Sequence, residues 1–380
     1  KRGNRMSHIA DLIAKHCPNG VNEKLISDVA TLERGKYISK KTAIPGEIPV
    51  IAGGRGPAYW HNESNRTGEL LTVAGSGAYA GFVQYWDSPV FVSDAFSIAT
   101  NLQINTRFLY HWLKNKQDFL HSLKKGSGVP HVYPKDIAKL KIPVPPLEVQ
   151  AEIVRILDSF TNLEANLQTE LEARRQQYKY YRDSLRDVSN QENRLGENVE
   201  VIALEETCNI SAGGDAPKES MCKSKTDKYK VPIVSNGIGE NALYGYTDIA
   251  KINTPAVTIA ARGTIGYAEY RDYPYFPIIR LLTAIPKDTS FLNTKYLYYC
   301  LHGKKYQLPN GGIPQLTAPQ LKKVRIPVPP LKEQERIVAI LDIFDALVND
   351  FSSGLPAEIE ARRKQYEYYR DQLLTFTPVK

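Results

Sequence analysis

Two long stretches of the chain carry apolar residues at helical spacing, and they are copies of each other. Each begins with Ile-Pro-Val-Pro-Pro-Leu, at residues 142–147 and 326–331, and a glutamine follows at Gln150 or Gln334. We call residues 147–165 and 331–349 the leading segments. Apolar residues three or four positions apart form one face of a predicted helix in each. This face comprises Ile153, Ile156, Leu157, Phe160 and Leu163 in the first copy and Ile337, Ile340, Leu341, Phe344 and Leu347 in the second.

The proline-rich start of each copy has two interpretations. Pro-Val-Pro-Pro is a possible polyproline ligand for an SH3-like partner. A proline in the first turn is also a standard start for a helix, and an apolar helical pattern follows in both copies. We therefore favour the helix start.

A helical stretch rich in tyrosine follows each leading segment. Residues 172–185 read Glu-Ala-Arg-Arg-Gln-Gln-Tyr-Lys-Tyr-Tyr-Arg-Asp-Ser-Leu, and residues 360–373 differ from them at three of fourteen positions. We call these the tyrosine segments. The differing positions lie opposite the tyrosine stripe on a helix, so variation points away from a predicted seam between helices. The seam positions have heptad spacing and are Leu171, Arg174, Tyr178, Tyr181 and Leu185 with Ile359, Arg362, Tyr366, Tyr369 and Leu373.

The two copies differ by four extra residues in the second, within residues 350–356. Ser-Gly-Leu-Pro in this stretch is typical of the end of one helix and the start of another. Four residues make about one helical turn, so both apolar stripes keep nearly the same facing. We expect a helix, a break and a second helix in this copy, and a more continuous helix in the first.

The remaining segments, residues 22–146 and 191–330, are called the first and second modules here. Both are predicted to be mainly β, because short apolar runs alternate with Gly, Pro and Asn. In the first module we predict strands over residues 25–32, 48–52, 70–74, 81–85 and 89–91, and helices over 107–116 and 118–123. Residues 48–51 correspond to 231–234, residues 72–77 to 258–263, and residues 81–83 to 266–268. Apolar and glycine positions agree while polar positions do not, which indicates one fold with two different surfaces.

Charge is divided unevenly along the chain, whose net charge is +8. Residues 22–143 carry 15 Lys and Arg against 10 Asp and Glu, and residues 191–327 carry 17 against 13. Residues 144–190 and 328–380 each have a net charge of −2. The basic modules are suited to a polyanion such as nucleic acid, although a surplus of this size is also common on proteins that bind none.

The sequence lacks the motifs that several enzyme classes require. It contains no G-x-x-x-x-G-K-[ST] phosphate loop, no G-x-G-x-x-G, no G-x-S-x-G and no H-E-x-x-H. The [DN]-P-P-[FY] box of amino-methyltransferases is also missing. Gly75-Ser76-Gly77 resembles a nucleophile turn, but the second module has Ala261-Arg262-Gly263 at that place, so we expect a tight turn. No catalytic residue is predicted.

Neither a metal site nor a membrane segment is predicted. The four cysteines form no C-x-x-C pair and the seven histidines no cluster, so we expect reduced thiols rather than disulfides or zinc. No apolar run approaches the roughly 20 residues that span a bilayer, and no secretory signal is recognisable. We expect a cytoplasmic protein, with residues 1–21 holding a tag remnant and a short helix.

Polar side chains in the glycine-rich loops of both modules supply binding chemistry. Lysines and arginines neutralise phosphates, and the forked groups of Arg, Asn and Gln read base edges. The candidate DNA-binding residues are Lys36, Lys40, Lys41, Arg55, Ser76 and Gln84 in the first module and Lys218, Lys223, Lys225, Asn236, Arg262 and Thr264 in the second.

The chain resembles the specificity subunits of type I restriction-modification systems. The resemblance rests on the twice-occurring Ile-Pro-Val-Pro-Pro-Leu-x-x-Gln, the twice-occurring Glu-Ala-Arg-Arg-x-Gln-Tyr, and the two divergent modules that alternate with them. It implies an α+β fold in which two mainly β target recognition domains, residues 22–146 and 191–330, are joined by helical conserved regions, residues 147–190 and 331–377. These regions are expected to pack as an antiparallel coiled coil with pseudo-two-fold symmetry.

The resemblance also implies a function and partners. Each module is expected to read one half of a bipartite target in double-stranded DNA, without catalysis by this chain. Two methyltransferase subunits and the restriction subunits are the implied protein partners, and they are expected to carry S-adenosylmethionine, ATP and Mg, with no cofactor on this chain. The alternative from another class is a non-catalytic structural adaptor that joins two protein-binding β modules.

Overall fold

The protein folds into two units, which a computed structural model describes for residues 3–126, 128–184, 199–306 and 314–379. The first unit comprises Lys1–Gln168 together with Ile359–Lys380, and the second comprises Thr169–Glu358. Each unit contains one module, the leading segment that follows it, and the tyrosine segment of the other copy. The division between the units therefore runs through each helical copy.

Residues 3–184 form the following elements. The helices are α1 (Gly3–His16), α2 (Ile26–Val29), α3 (Thr106–Asn115), α4 (Gln117–Ser122), α5 (Pro134–Ala138) and α6 (Leu147–Ser184). The strands are β1 (Glu23–Leu25), β2 (Ala30–Arg34), β3 (Ile48–Ile51), β4 (Tyr59–His61), β5 (Leu70–Ala74), β6 (Val83–Trp86), β7 (Phe91–Val92), β8 (Ala95–Thr100) and β9 (Lys141–Pro143).

Residues 199–379 form a similar series of elements. The helices are α7 (Leu204–Thr207), α8 (Thr294–Leu301), α9 (Ala318–Lys322), α10 (Leu331–Asn349) and α11 (Leu355–Leu373), with 3₁₀ turns at Lys218–Ser220 and Gly239–Ala242. The strands are β10 (Glu200–Ala203), β11 (Cys208–Ala212), β12 (Met221–Cys222), β13 (Val231–Val234), β14 (Leu243–Thr247), β15 (Ala256–Ala260), β16 (Ala268–Arg271), β17 (Phe276–Pro277), β18 (Leu281–Pro286) and β19 (Arg325–Val328).

The sheets of the two modules follow one plan. In the first module the main sheet is antiparallel with order β2-β8-β5-β6, and a smaller sheet has order β4-β3-β7. In the second module the corresponding orders are β11-β18-β15-β16 and β12-β14-β13-β17. All five residues of β5 and all five of β15 are buried, as expected for a strand covered on both faces. The predicted mainly β fold, repeated in both modules, is confirmed.

Several predicted elements differ in detail. The strand predicted for residues 25–32 is interrupted by α2, because Ile26 and Val29 are both buried on one side of a helical turn and Asp28 accepts a hydrogen bond from the Leu25 N–H at 3.3 Å. The strands β4 and β8 were not predicted. The first helix begins at Gly3, so residues 3–5 form its first turn.

The leading segments belong to the cores of the modules. In the first unit Ile153 and Leu157 of α6 are fully buried together with Phe108 and Leu113 of α3. In the second unit α10 contributes Ile337 and Leu341, which pack with α8 and with the strand β15. Burying one such side chain stabilises the fold by about 1.5–3 kcal/mol. Each leading segment is thus an integral part of its module's fold.

The helical copies differ in continuity, as predicted. The helix α6 is unbroken over 38 residues, whereas α10 ends at Asn349 and α11 begins at Leu355. The break is closed by the Asp350 carboxylate, which accepts from the Ser352 N–H at 2.7 Å. Hydrogen bonds from Ser352 and Ser353 lower the pKa of Asp350 to about 2. A side chain at Gly354 would lie 2.5 Å from the Ala346 carbonyl oxygen, so this position requires glycine.

Helices pair antiparallel inside the first unit. The Phe160 ring of α6 lies 5.5 Å from that of Tyr369 and 6.4 Å from that of Tyr366 on α11. One turn further along α6, Glu164 accepts from the Arg363 guanidinium at 2.9 Å. As residue numbers increase along α6, those of the contacting residues on α11 decrease. The two helices therefore run antiparallel, as predicted. The tyrosines pack against a leading segment, where we expected a seam between the two tyrosine segments.

The second unit repeats this pairing with α6 and α10. The Tyr178 hydroxyl donates to Asp345 at 3.1 Å, and the Tyr181 ring lies 5.7 Å from that of Phe344. Burial and the nearby Asp345 carboxylate raise the pKa of Tyr178. Among the predicted seam residues, Tyr178, Ile359 and Leu373 are buried, Leu171 is half-buried, and Tyr181 is 43% exposed. Leu185 lies outside the described residues.

The two predicted seam arginines bond along their own helices. Arg174 donates to Glu170 and to Gln177, each at 2.8 Å, and Arg362 donates to Gln365 at 3.0 Å. The Glu164–Arg363 ion pair in the first unit and the Tyr178–Asp345 hydrogen bond in the second join helices across the seam. Over the described ranges, no helix is long and apolar enough to cross a bilayer.

Candidate nucleic-acid interface

Each module is fastened to its leading segment by one buried glutamine. In the first unit Gln150 accepts from the Asn105 N–H at 2.7 Å and donates to the carbonyl oxygens of Gln103 at 3.1 Å and Pro145 at 2.7 Å. Gln334 makes the matching bonds in the second unit, with Asn293 at 2.8 Å, Phe291 at 2.9 Å and Pro329 at 2.8 Å. This explains why a glutamine occurs three residues after the leucine in both copies.

The asparagines that these glutamines hold begin the module helices. The Asn105 side chain accepts from the backbone N–H groups of Arg107 and Phe108, which caps α3, and Asn293 caps α8 in the same way. An asparagine cap satisfies N–H groups that otherwise lack a partner at the helix start. The module helix and the leading segment are thereby fixed to each other in each unit.

An aspartate of each leading segment makes a second attachment. Asp158 accepts from the Arg107 Nε at 3.0 Å and contacts the His111 Nε2 at 2.8 Å. Burial raises the pKa of Asp158, but the hydrogen bonds and charges of His111 and Arg107 outweigh it, so the pKa lies below its usual range. In the second unit Asp342 accepts from Lys295 at 2.7 Å and Tyr299 at 2.5 Å. A cation and a ring occupy corresponding places in both units.

A cluster of cations and aromatic rings forms on the first module around Arg55. The Arg55 guanidinium lies 4.6 Å from the centroid of the Tyr79 ring and 5.7 Å from that of Phe82. The Lys114 ammonium lies 4.4 Å from the same Phe82 ring. Burial lowers the pKa of Lys114, and the positive charge of Arg55 lowers it further. Two positive charges that repel each other favour the binding of an anion such as a DNA phosphate between them.

The other candidate residues of the first module lie in three places. Gln84 donates to the Arg55 carbonyl oxygen at 2.7 Å, so it belongs to the Arg55 cluster. Lys40 and Lys41 are exposed in a turn closed by the Thr42 N–H and the Ser39 carbonyl oxygen at 3.1 Å, while exposed Lys36 follows the edge strand β2. Ser76 is buried, and its hydroxyl donates to the Asp94 carboxylate.

In the second module three candidate residues come together in one loop cluster. The Asn236 side chain donates to the Arg262 carbonyl oxygen at 2.6 Å, and the Thr264 hydroxyl donates to the Asn236 carbonyl oxygen at 3.0 Å. Between them Gly263 adopts φ 71°, a left-handed conformation that favours glycine. The bond through Asn236 ties the loop after β13 to the loop after β15.

A cleft of about 900 Å³ lies beside this cluster. Lys218, Asn236 and Tyr244 line the cleft. The Lys223 ammonium lies 4.0 Å from the centroid of the Tyr244 ring and donates to the Tyr244 carbonyl oxygen at 3.1 Å. Lys225 is exposed in the following loop. Asp215 and Glu219 line the cleft together with Lys218, so basic, acidic and amide side chains all border it.

Comparisons with known proteins agree with this arrangement. Residues 18–173 and 196–361 match the family described as type I restriction modification DNA specificity domain. The chain belongs to this family.

Two relatives and one solved structure show how far the family likeness extends. A type I specificity subunit of Mycoplasma pneumoniae is 33% identical over 357 residues, which cover 92% of this chain and 96% of the relative. The specificity subunit of an Escherichia coli type I restriction enzyme is 30% identical over 315 residues, 75% of each chain. The crystal structure of a type I S subunit from M. genitalium has the same fold, with a TM-score of 0.62 at 18% identity over 93% of this chain and 96% of that one.

Family membership confirms the main sequence predictions. The chain is a DNA specificity subunit of the type I restriction-modification class with an α+β fold and a repeated domain. Its relatives are specificity subunits, so the prediction of a non-catalytic chain is also confirmed.

The fold places some charged side chains beside the candidate residues that the sequence did not single out. Lys114 was missed, although it follows the apolar stripe of α3 and only the fold places it over the Phe82 ring. Asp94 and Arg280 were also missed. Each precedes the last strand of a main sheet, β8 or β18, in loops of different length.

Proposed function

We propose that each module of this specificity subunit reads one half of a bipartite DNA target and that the helical copies set the distance between the halves. The observation that carries this proposal is the repeated attachment: Gln150 and Gln334 hold the two modules in the same way, while their loops differ in charge and shape. Two modules that recognise different DNA sequences require the same attachment to the helices and different loops.

The chemistry of the loops supports DNA as the ligand. Arg55 and Lys114 of the first module are suited to a phosphate, and so are Lys218 and Lys223 of the second. Asn236 and Arg262 have the forked donor groups that read base edges in the major groove. Phosphate contacts would hold each module in register, and the forked groups would supply sequence preference.

We further propose the assembly in which this subunit works. Two methyltransferase subunits bind the chain and carry S-adenosylmethionine, and restriction subunits that use ATP and Mg join the complex in the cytoplasm. The relatives' names support a type I assembly, and the helical copies offer one surface per copy, which suits two methyltransferases. The chain itself contributes recognition and positioning.

The decisive experiment combines binding and methylation. The chain, purified with its methyltransferase partner, is mixed with pooled genomic DNA in a gel-shift assay, and DNA from cells expressing both is sequenced for methylated bases. We expect a shift and methylation at one bipartite sequence. A complex that forms without any DNA shift or methylated sequence would instead favour the structural adaptor.

Exchange of one module tests whether each module recognises its own half-site. Replacing residues 22–128 by those of a related subunit is expected to change one half-site and leave the other unchanged. The exchange keeps Gln150 and Asp158 on the leading segment, so the new module meets the same attachment. A change in both half-sites would contradict two independent readers.

A further inference from the structure

Asp94 of the first module and Arg280 of the second occupy the same backbone position. The Gly75 N–H donates to the Asp94 carbonyl oxygen at 3.2 Å, and the Ala261 N–H donates to the Arg280 carbonyl oxygen at 2.9 Å. The next residues, Ala95 and Leu281, pair with Ala74 and Ala260 at the ends of β5 and β15. An acidic side chain in the first module therefore takes the place of a basic side chain in the second.

A neighbouring glycine confirms the match. The Gly35 N–H donates to the Ala95 carbonyl oxygen at 2.9 Å, and the Gly213 N–H donates to the Leu281 carbonyl oxygen at 2.8 Å. A side chain at Gly35 would lie 2.3 Å from the Ser93 carbonyl oxygen, and one at Gly213 would lie 2.1 Å from the Ile278 carbonyl oxygen. Both modules thus bring the same two backbone segments together at the edge of a cleft.

In the first module this position is acidic. Asp94 is exposed, and its carboxylate accepts from the Ser76 hydroxyl, which orients it. It lines a cleft of about 210 Å³ together with Tyr37 and His131. The fixed carboxylate offers hydrogen-bond acceptors to whatever enters this cleft.

In the second module the same position is basic. Arg280 is exposed at the edge of the 900 Å³ cleft. Arg262 corresponds to Ser76, and its buried Nε has no hydrogen-bond partner among the described residues. Arg280 also has φ 72°, and within the described ranges no other residue except glycine has a positive φ. Such backbone strain persists where the surroundings impose it, and it is concentrated at functional sites.

A phosphate contact does not explain both modules. The arginine is suited to a phosphate, but a carboxylate at the matching place would repel one. Base edges, in contrast, present both polarities: guanine offers acceptors at N7 and O6, and cytosine offers a donor at N4. Opposite side chains at one position of one fold are therefore suited to two different base edges.

We propose that this matched position reads one base pair in each half-site with opposite hydrogen-bond polarity. Arg280 donates to N7 and O6 of a guanine, and Asp94 accepts from the N4 amino group of a cytosine. The inference rests on the bipartite DNA recognition proposed above and assigns one specificity-determining residue to each module. Arg262 directly follows Ala261, whose N–H donates to the Arg280 carbonyl oxygen.

The test measures binding of the chain with its methyltransferase partner to the recognised duplex and to every single-base-pair variant of both half-sites. Arg280→Gly is the informative variant, because glycine adopts φ 72° without strain and the fold is retained. It is expected to reduce discrimination at one G·C pair of one half-site by about 10- to 100-fold. Asp94→Asn is expected to reduce discrimination at one pair of the other half-site.

A base analogue identifies the contacted atom. Replacing the guanine at the affected pair by 7-deazaguanine removes the N7 acceptor, so affinity is expected to fall for the wild-type chain and not to fall further for Arg280→Gly. Lys225→Gln serves as the control for a phosphate contact, and it is expected to lower the DNA affinity equally for all sequences. The inference would be overturned if Arg280→Gly or Asp94→Asn lowered the affinity equally for all duplexes, or if neither changed the discrimination at any base pair. A wild-type complex that discriminates nowhere would instead refute the proposed function.

Discussion

Gln334 makes the same three side-chain hydrogen bonds in the second unit as Gln150 makes in the first. Each accepts from the N–H of a helix-capping asparagine and donates to two carbonyl oxygens, and both side chains are completely buried. A buried side chain that satisfies three backbone groups at once cannot be replaced without leaving them unpaired. The attachment of module to helix is therefore tightly constrained in both units.

Replacing Gln334 by Ala is expected to destabilise the second unit by roughly 2–4 kcal/mol, because three buried backbone groups lose their partner. Hydrogen exchange of the α8 amides measures the free energy of opening. Glu335→Ala is the matched control on the same helix, since Glu335 is exposed, and a change within about 0.5 kcal/mol is expected there. Equal effects of the two variants would contradict the role of Gln334.

The Asp158 attachment is expected to depend on pH. Its pKa lies below its usual range in the folded chain, so it stabilises the first unit above about pH 4, and this contribution is lost as pH falls through the folded pKa. Asp158→Asn is expected to cost roughly 1–2 kcal/mol at neutral pH. The difference from the wild type should narrow in acid, as measured by the free energy of unfolding between about pH 3 and 7. A difference that stays constant would exclude Asp158 as its source.

The Arg55 cluster predicts a specific salt dependence. If Arg55 and Lys114 contact phosphates, replacing either by Gln should lower DNA affinity equally for all sequences. The slope of log K against log salt should become shallower by about 0.9 for each phosphate that is no longer neutralised. Lys15→Gln on α1 provides the control, with an unchanged slope. A variant of Arg55 that alters base preference and leaves the slope unchanged would show that the cluster reads bases.

The break between α10 and α11 predicts an effect on target spacing. Deleting residues 352–355 removes four residues, as many as the first copy lacks in this stretch, and shortens the connection between α10 and α11. The number of unspecified bases between half-sites is expected to change, or binding to be abolished, with both half-sites unaltered. Sequencing of methylated DNA tests this, and an altered half-site would show that the break serves recognition.

The sequence by itself determined the architecture. Helical periodicity and the repeated Ile-Pro-Val-Pro-Pro-Leu-x-x-Gln located the two leading segments, and α6, α10 and α11 have the continuity and the break that the four extra residues predicted. Strands such as β3 and β5 were found because their apolar runs are local and bounded by turn residues. Periodicity and turn chemistry act between near neighbours, so they can be read without coordinates.

Only the tertiary structure decided which residues meet. Phe160 packs with tyrosines more than 200 positions away, Lys114 shares the Phe82 ring with Arg55, and Asp94 matches Arg280 across loops of different length. Arg174, a predicted seam residue, bonds along its own helix, where Glu170 and Gln177 lie within reach. These relationships depend on distances between remote segments, which packing and hydrogen bonding set and which no local pattern encodes.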